Sequence, residues 1–155
     1  WDGVRFEVLH PLEADYDQAR KPNALSCVLR VSTATRSALL AGYIEQPQEA
    51  ALLQRATATG KSLKSDVLLV PHHGSKTSSS PAFLDAVAPT LALAQAGYRN
   101  RFGHPAPEVL ARYAQRDIRV ADSARCGAAN WRSDQPDELR CEREAARRYW
   151  HHRLP

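Results

Sequence analysis

The sequence lacks a long apolar run, an internal repeat and a low-complexity tract. No stretch approaches the roughly 20 apolar residues that a membrane-spanning helix needs. The chain opens on WDGVRFEVLHP rather than on the basic and apolar leader of a secretory signal. Its 155 residues, 43% hydrophobic and 25% charged, have the ordinary composition of a globular protein. We therefore expect one compact unit with a single core.

Cysteine is scarce as well. The three cysteines, Cys27, Cys126 and Cys141, lie far apart and form no CxxC pair, which excludes a zinc knuckle and a framework of several disulfides. Cys27 falls in an alternating strand pattern, and we expect it to be a small buried hydrophobe. The sequence leaves open whether Cys126 and Cys141 form a disulfide.

Strand and helix patterns alternate along the chain. Short segments with β-branched residues or period-two alternation predict strands at residues 4–9, 26–31, 38–41, 66–70, 90–94 and 118–121. Segments with a proline or an acid in the first turn, and apolar residues at helical spacing, predict helices at residues 48–59, 81–87 and 107–115. This order predicts an α/β fold in which helices pack against a sheet.

The most informative segment is DVLLVPHHGSKTSSS, residues 66–80. A short apolar run ends at Pro71 and delivers His72 and His73 at its carboxyl end, where open α/β sheets bind their ligands. The residues that follow allow close backbone approach and offer hydroxyl donors and one positive charge. They are Gly74, Ser75, Lys76 and Thr77. The pattern favours a site for an anion, a metal or both, and its alternative is an ordinary turn or helix cap.

A second segment strengthens the functional interpretation. Residues 100–105, NRFGHP, also follow an apolar run and place His104 beside a glycine, with Arg99 and Arg101 close by. One histidine loop after a strand is common in ordinary proteins, whereas two with basic neighbours favour a functional site. Because both loops follow strands of one sheet, we expect them to converge at the same edge.

Four blocks of sequence, taken in order, resemble a known family. They are NALSCVL at residues 23–29, LLAGYIE at 39–45, DVLLVPHHGSKTSSS at 66–80 and NRFGHP at 100–105. Together they are similar to the C-terminal metallo-β-lactamase-like domain of ComEC, the bacterial competence channel that imports DNA. The resemblance runs from about Trp1 to about Trp131. It implies that the chain is part of a DNA-internalisation protein of natural transformation.

The resemblance also implies a fold and a place in the cell. Trp1 falls near the middle of the family's αββα sandwich, so residues 1–131 would form its second half, a mixed β-sheet covered by helices. Residues 132–155 would be a polar, arginine-rich C-terminal extension. We expect a soluble domain of a bacterial inner-membrane protein. Its partners would be the rest of the channel and DNA, either single-stranded or in the course of import.

A chain that forms only half of the sandwich would leave the apolar inner face of its sheet without the partner sheet that covers it. A chain of this kind must still bury sheet residues such as Val28, Leu40, Leu68 and Val70. A large exposed apolar patch is rare in a soluble monomer. We therefore expect self-association through the sheet face or an unpaired edge strand, as a two-fold homodimer.

The family's metal ligands are incomplete in this sequence. Its members bind zinc or manganese through an H-x-H-x-D-H motif, a bridging aspartate and a later histidine. The motif is absent here, and Tyr43 stands where the family pattern LLTGDIE has its aspartate. A phenol ligates only after it loses a proton whose reference pKa is about 10. Glu45 would share the strand face of Tyr43 but is not the family's ligand. We expect a divalent metal in the full domain and none in this fragment.

By the same resemblance, three histidines are the catalytic candidates. His72 would ligate a metal if the missing half supplied the other ligands, and His73 lies close behind it. His104 would orient the substrate or protonate the leaving alkoxide. The expected phosphate-binding residues are Gly74, Ser75, Lys76, Thr77, Asn100 and Arg101.

Two classes of function remain open. The full domain resembles a metal-dependent nuclease, a hydrolase that acts on incoming DNA. Tyr43 favours the alternative, a degenerate, non-catalytic module that binds DNA or supports the channel. The formal charge of +4 is consistent with a polyanionic partner, although the arginines of residues 140–153 are more typical of a solvated helix face. An intact H-x-H-x-D-H upstream of Trp1 would favour catalysis.

Overall fold

A six-stranded mixed sheet forms the centre of the protein. The computed structural model describes residues 1–17 and 21–150. In spatial order the strands are β1 (Arg5–His10), β2 (Val28–Ser32), β3 (Ser37–Leu40), β4 (Val67–Leu69), β5 (Leu91–Ala94) and β6 (Arg119–Asp122). The ends of all six lie within about two residues of the predicted ends, the usual uncertainty of element boundaries. The predicted α/β class with a mixed sheet is confirmed.

Three main helices accompany the sheet, and two single-turn helices follow. They are α1 (Gln46–Thr59), α2 (Pro81–Val87), α3 (Pro107–Ala114), α4 (Ser123–Cys126) and α5 (Glu142–Ala145). The three main helices were predicted, and each carries a proline in its first turn, where the missing N–H has no helical partner to lose. Across residues 1–17 and 21–150, no helix has the length and apolar character needed to cross a membrane.

Strand direction decides where the loops meet. β1, β2 and β3 pair antiparallel, whereas β3, β4, β5 and β6 pair in parallel. The chain therefore leaves these four parallel strands at one edge of the sheet. We call this the carboxyl edge; it comprises residues 41–45, 70–80, 95–106 and 122.

One face of the sheet packs against the helices. Leu39, Leu68 and Ala92 are register neighbours on β3, β4 and β5, and all three are fully buried. Burial of one large apolar side chain contributes about 1.5–3 kcal/mol, so this layer stabilises the sheet that positions the carboxyl edge. The helical side chains of the same cluster are Leu52, Phe83, Leu84, Val87, Val109 and Tyr113.

The C-terminal part forms a separate two-stranded sheet. β7 (Ala129–Arg132) pairs antiparallel with β8 (Gln135–Cys141), and a disulfide joins Cys126 of α4 to Cys141. The disulfide thus ties the end of the hairpin to the segment that follows β6. Strand β7 crosses the boundary predicted between residues 131 and 132. Residues 151–155 of the predicted extension lie outside the described part of the chain.

The prediction that Cys27 is buried is wrong. Its side chain is exposed. Strand β2 begins one residue later, at Val28, which is fully buried and takes the inward position. Cys27 therefore lies outside the sheet, where strand alternation no longer determines which way a side chain faces.

The opposite face of the sheet is apolar and open on the β1 side. Phe6 and Val8 of β1 are 56% and 57% exposed, and Leu40 of β3 is 37% exposed. Of the four residues expected to need a partner, Val28, Leu68 and Val70 are buried within the chain, and Leu40 alone stays exposed. The helices therefore cover more of the core than the half-sandwich expectation allowed.

We propose that two copies of the chain associate through this open face. Replacement of Phe6 and Val8 by serine should shift a concentration-dependent dimer towards the monomer in light scattering, because these two side chains are the most exposed large apolar groups named on this face. Tyr16→Ser is the matched control, since Tyr16 is 64% exposed but lies outside the sheet. A wild-type chain that stays monomeric at high concentration would contradict the proposal.

Candidate functional site at the carboxyl edge

Two histidine loops and one tyrosine meet at the carboxyl edge. Tyr43 follows β3, His72 and His73 follow β4, and His104 lies in the loop after β5. The ring centres of His72 and His104 are 6.2 Å apart, and Tyr43 Oη lies 3.0 Å from His73 Nε2. The loops converge as strand direction predicted. His72 and His73 therefore both border Tyr43, and His104 lies on the other loop beside His72.

The backbone is strained at the histidine pair. His72 and His73 have φ of 47° and 57°. This left-handed region costs a residue with a side chain roughly 1–2 kcal/mol. The turn persists because the His72 N–H donates to the Gly42 carbonyl and the Ser75 N–H donates to the His72 carbonyl, each at 2.9 Å. Strain that the surrounding structure maintains in this way is typical of functional sites.

Glu45, the residue before α1, is a carboxylate of this edge. Its Oε1 lies 3.1 Å from His72 Nδ1 and accepts a hydrogen bond from Thr77 Oγ1 at 2.9 Å. The geometry of the contact with His72 is not that of a hydrogen bond, so the two side chains are close neighbours at this edge. Sequence reasoning gave Glu45 no role in the site. The feature of the sequence that could have indicated a role for Glu45 is its position two residues after Tyr43.

Gly74 holds the two loops together. A Cβ at this residue would lie 2.7 Å from Pro105 Cβ, and the backbone has φ of +81°. The Ala106 N–H also donates to the Gly74 carbonyl at 2.8 Å. The loop after β4 thus docks by its backbone against the loop after β5, which fixes the separation of His72 and His104. A contact of Gly74 with phosphate stays a prediction.

The serines that follow, at residues 78–80, take part in a hydrogen-bond network inside the protein. Ser78 and Ser79 are fully buried, as is Glu49 of α1. Glu49 accepts hydrogen bonds from the N–H groups of Ser79 and Ser80 at 2.6 and 2.8 Å. Burial raises the pKa of the Glu49 carboxyl above its usual value, and these hydrogen bonds only partly oppose it. Glu49 anchors the far end of the histidine loop, and no local sequence signal points to that role.

Among the predicted phosphate-binding residues, Lys76 and Arg101 present exposed cations. Lys76 Nζ lies 3.5 Å from Glu108 Oε2, a pair between solvent-exposed side chains that contributes little and exchanges readily. Arg101 stacks over the ring of Phe102 with 4.8 Å from its guanidinium carbon to the ring centre. Both cations are therefore free to turn towards a polyanion.

Ser75 and Asn100 are engaged inside their own loops. Ser75 is buried, and its Oγ lies 3.1 Å from Thr77 Oγ1. Asn100 Oδ1 accepts from the His104 N–H at 3.0 Å, and its Nδ2 donates to the Gly97 carbonyl at 3.0 Å. These contacts shape the loops. The proposed contacts of both residues with phosphate stay predictions.

His104 is a histidine of this edge whose pKa departs from its ordinary value. Burial lowers the pKa of its imidazole, and the nearby His72 and His73 lower it further. This shift favours the neutral form of the ring. The permanent positive charge of this edge comes from lysine and arginine.

The residues of this edge do not by themselves fit the metal centre that the resemblance implies. Among residues 1–17 and 21–150, no group of three or more His, Cys, Asp or Glu side chains is arranged to hold a metal ion. A catalytic zinc takes about three protein ligands. His72 and Glu45 supply one nitrogen and one carboxylate close together, and Tyr43 Oη contacts His73 instead of offering a carboxylate. Further ligands would have to come from outside the described residues.

Comparison with known proteins gives a consistent relationship. The chain is 39% identical over 128 residues to Competence protein ComA of Neisseria gonorrhoeae and 36% identical over 129 residues to ComE operon protein 3 of Bacillus subtilis. It is 35% identical over 127 residues to Recombination protein 2 of Haemophilus influenzae. The alignments cover 82–83% of this chain but only 15–18% of these relatives, so the chain spans less than a fifth of their length. No protein-family model matches the chain.

The mixed sheet and its histidine edge therefore form a segment related to bacterial competence proteins. This similarity to competence proteins agrees with the four sequence blocks, and the metallo-β-lactamase-like domain stays a prediction.

Proposed function

We propose that the carboxyl edge contacts DNA during its uptake by a ComEC-type competence protein. The observation that carries the proposal is the convergence of two histidine loops at this edge. These loops also bear the exposed cations Lys76, Arg99 and Arg101. The chain that carries them is similar to competence proteins. Contacts of lysine and arginine with phosphates dominate the affinity of proteins for nucleic acids. An edge of this kind suits a strand that passes over it, because its cations sit on loops rather than in a closed cavity.

The donor set favours a DNA-contacting module over a self-sufficient nuclease. Tyr43 replaces the bridging carboxylate, and its hydroxyl is paired with His73. Gly74 and Ser75 serve loop packing, which leaves the exposed side chains of Lys76 and Arg101 as the available phosphate contacts. The exposed cations support binding of an anion at this edge, and residues 1–17 and 21–150 hold no group of three or more His, Cys, Asp or Glu side chains placed for a catalytic metal.

A second candidate function is metal-dependent hydrolysis of DNA by a longer chain. The proximity of His72, His104 and Glu45 supports it, since these side chains could complete a centre whose other ligands come from the first half of a metallo-β-lactamase-like sandwich. In that arrangement this chain is one half of a domain that lies outside the bilayer of an inner-membrane channel protein. Calorimetry with zinc or manganese on a chain extended upstream of Trp1 separates the two candidates, because stoichiometric binding that is lost in the His72→Ala variant would favour the hydrolase, and no binding would favour the DNA-contacting module.

Replacement of Lys76 and Arg101 by alanine should weaken binding of single-stranded DNA. Removal of each cation that pairs with a phosphate should also reduce the slope of log affinity against log salt by about 0.7. Fluorescence anisotropy with a labelled oligonucleotide at several salt concentrations measures both quantities.

The matched control is the double variant Arg5→Ala, Lys61→Ala, which removes the same charge. Both residues contact Glu7 on β1, and Arg5 lies at the end of the sheet opposite the carboxyl edge. An unchanged affinity and salt slope in the Lys76 and Arg101 variant would refute the proposed contact. Equal losses of DNA affinity in the two double variants would show that binding depends on the overall charge of the protein and not on a contact at the carboxyl edge.

A further inference from the structure

We propose that the loop after β5 carries a base-stacking platform for single-stranded DNA, formed by Phe102 and Tyr98. The inference rests on the proposed function and adds to it the part of the DNA that is recognised. Cations at the carboxyl edge explain contact with phosphates, which single and double strands share. Exposed aromatic rings explain contact with bases, which only an unpaired strand presents.

Two aromatic rings are exposed on the loop after β5. Phe102 is 66% exposed and Tyr98 is 42% exposed, in a loop of nine residues, 97–105, that also carries His104. Neither ring belongs to the buried core cluster. Part of each ring is therefore open to a ligand.

Each exposed ring is paired with an arginine. The guanidinium carbon of Arg99 lies 5.2 Å from the ring centre of Tyr98, and that of Arg101 lies 4.8 Å from the ring centre of Phe102. Such cation–π contacts hold a cation next to a flat apolar surface. A nucleotide needs the same two elements, because its base stacks on a ring while its phosphate meets a positive charge.

The platform is continuous with the histidine edge. Phe102 stacks on His104 with ring centres 5.8 Å apart and an angle of 19° between the planes. His104 in turn lies beside His72. A base stacked next to Phe102 would therefore extend a row of rings that leads to the centre of the candidate site.

Hydrogen bonds within the loop hold its two ends together. Asn100 bridges it internally through hydrogen bonds to the His104 N–H and the Gly97 carbonyl. Beside it lies a cavity of about 300 Å³, whose lining includes Tyr98, Asp122 and Arg125. Preformed sites for small ligands begin at about this size. A base that leaves the stack at Tyr98 would have room there.

The test compares an oligothymidylate with an abasic oligonucleotide of equal length and charge, using fluorescence anisotropy. The wild type should bind the oligothymidylate at least about tenfold more tightly, since stacking contributes about 1–3 kcal/mol per base. Phe102→Ala should lose about tenfold for the oligothymidylate and leave the abasic strand unchanged, and Phe102→Trp should restore binding. Arg101→Ala should weaken both strands.

Tyr16→Ala serves as the control for loss of an exposed ring. Tyr16 follows β1, four strands away from β5 in the sheet, and is 64% exposed. Equal binding of the two strands by the wild type would overturn the platform while leaving phosphate contact intact. Equal losses on both strands in Phe102→Ala would overturn it as well. Failure of the wild type to bind either strand would instead remove the proposed function on which the platform rests.

Discussion

Replacement of Glu49 by alanine should lower the free energy of unfolding by about 3 kcal/mol, because each buried N–H left without a partner costs about 1–3 kcal/mol. The carboxylate accepts from two backbone N–H groups, at Ser79 and Ser80, and Ser79 is fully buried. Urea denaturation followed by circular dichroism measures the change. Gln54→Ala, at an exposed position of the same helix, is the control and should change stability by less than about 0.5 kcal/mol. A Glu49 variant as stable as this control would show that the network does not anchor the loop.

Glu49 should also make stability depend on pH. Its raised pKa means that the folded protein holds this proton more tightly than the unfolded chain does. Its contribution to stability is therefore fully present below the ordinary pKa of glutamate and is lost as pH rises through the raised pKa. Glu49→Gln cannot ionise, so its stability relative to wild type should improve as pH rises through that interval. A difference that stays constant with pH would contradict this assignment.

Replacement of Gly74 by alanine should separate the two histidine loops. The new Cβ would lie within 2.7 Å of Pro105 Cβ and 2.9 Å of its Cα, on a backbone with φ of +81°. The left-handed conformation costs roughly 1–2 kcal/mol and the overpacking about 1–3 kcal/mol, so we expect a loss of about 3 kcal/mol. DNA affinity should fall as well, because Pro105 can move only together with the loop that carries His104 and Arg101.

Gly103→Ala is the matched control for Gly74. Gly103 also has positive φ, +66°, but a Cβ there would meet nothing within 4 Å. It should show only the conformational cost, roughly 1–2 kcal/mol. The excess in Gly74→Ala then measures the contact between the loops. Equal losses in the two variants would mean that the loops do not depend on this contact.

The sheet and main helices could be predicted because their signals are local. Apolar runs mark β4 and β5, and Pro81 and Pro107 mark the starts of α2 and α3. The parallel order of these strands then places the histidine loops at one edge, and the structure shows the rings of His72 and His104 there. The site could be located from this much of the sequence.

The roles of the individual loop residues could not be predicted, because they depend on distant partners. Ser79 and Ser80 look like ligand-binding hydroxyl residues in the sequence, but their N–H groups meet Glu49, about thirty residues earlier. The sequence suggests that Gly74 allows a ligand to approach, but does not reveal that Pro105 packs against it. Only the packing of α1 and of the loop after β5 against this segment reveals these contacts.

The C-terminal hairpin was missed for a different reason. β8 has the sequence QPDELRC, in which no side chain is buried, so apolar alternation is weak. Its pairing with β7 is accompanied by the disulfide between Cys126 and Cys141, which the sequence left undecided. A strand that is stabilised by cross-strand pairing and a disulfide does not need a buried apolar face, so its sequence shows little of the apolar alternation from which strands are predicted.

Amide NMR spectra of the isotope-labelled chain, recorded during titration with a short oligothymidylate, show which part of the surface meets DNA. We expect shifts that weaken with added salt and concentrate in residues 72–77 and 97–105, with the amides of β1 and the C-terminal hairpin unaffected. Shifts confined to the hairpin and the arginine-rich residues that follow it, with the two histidine loops unchanged, would contradict the proposed contact of DNA with the carboxyl edge.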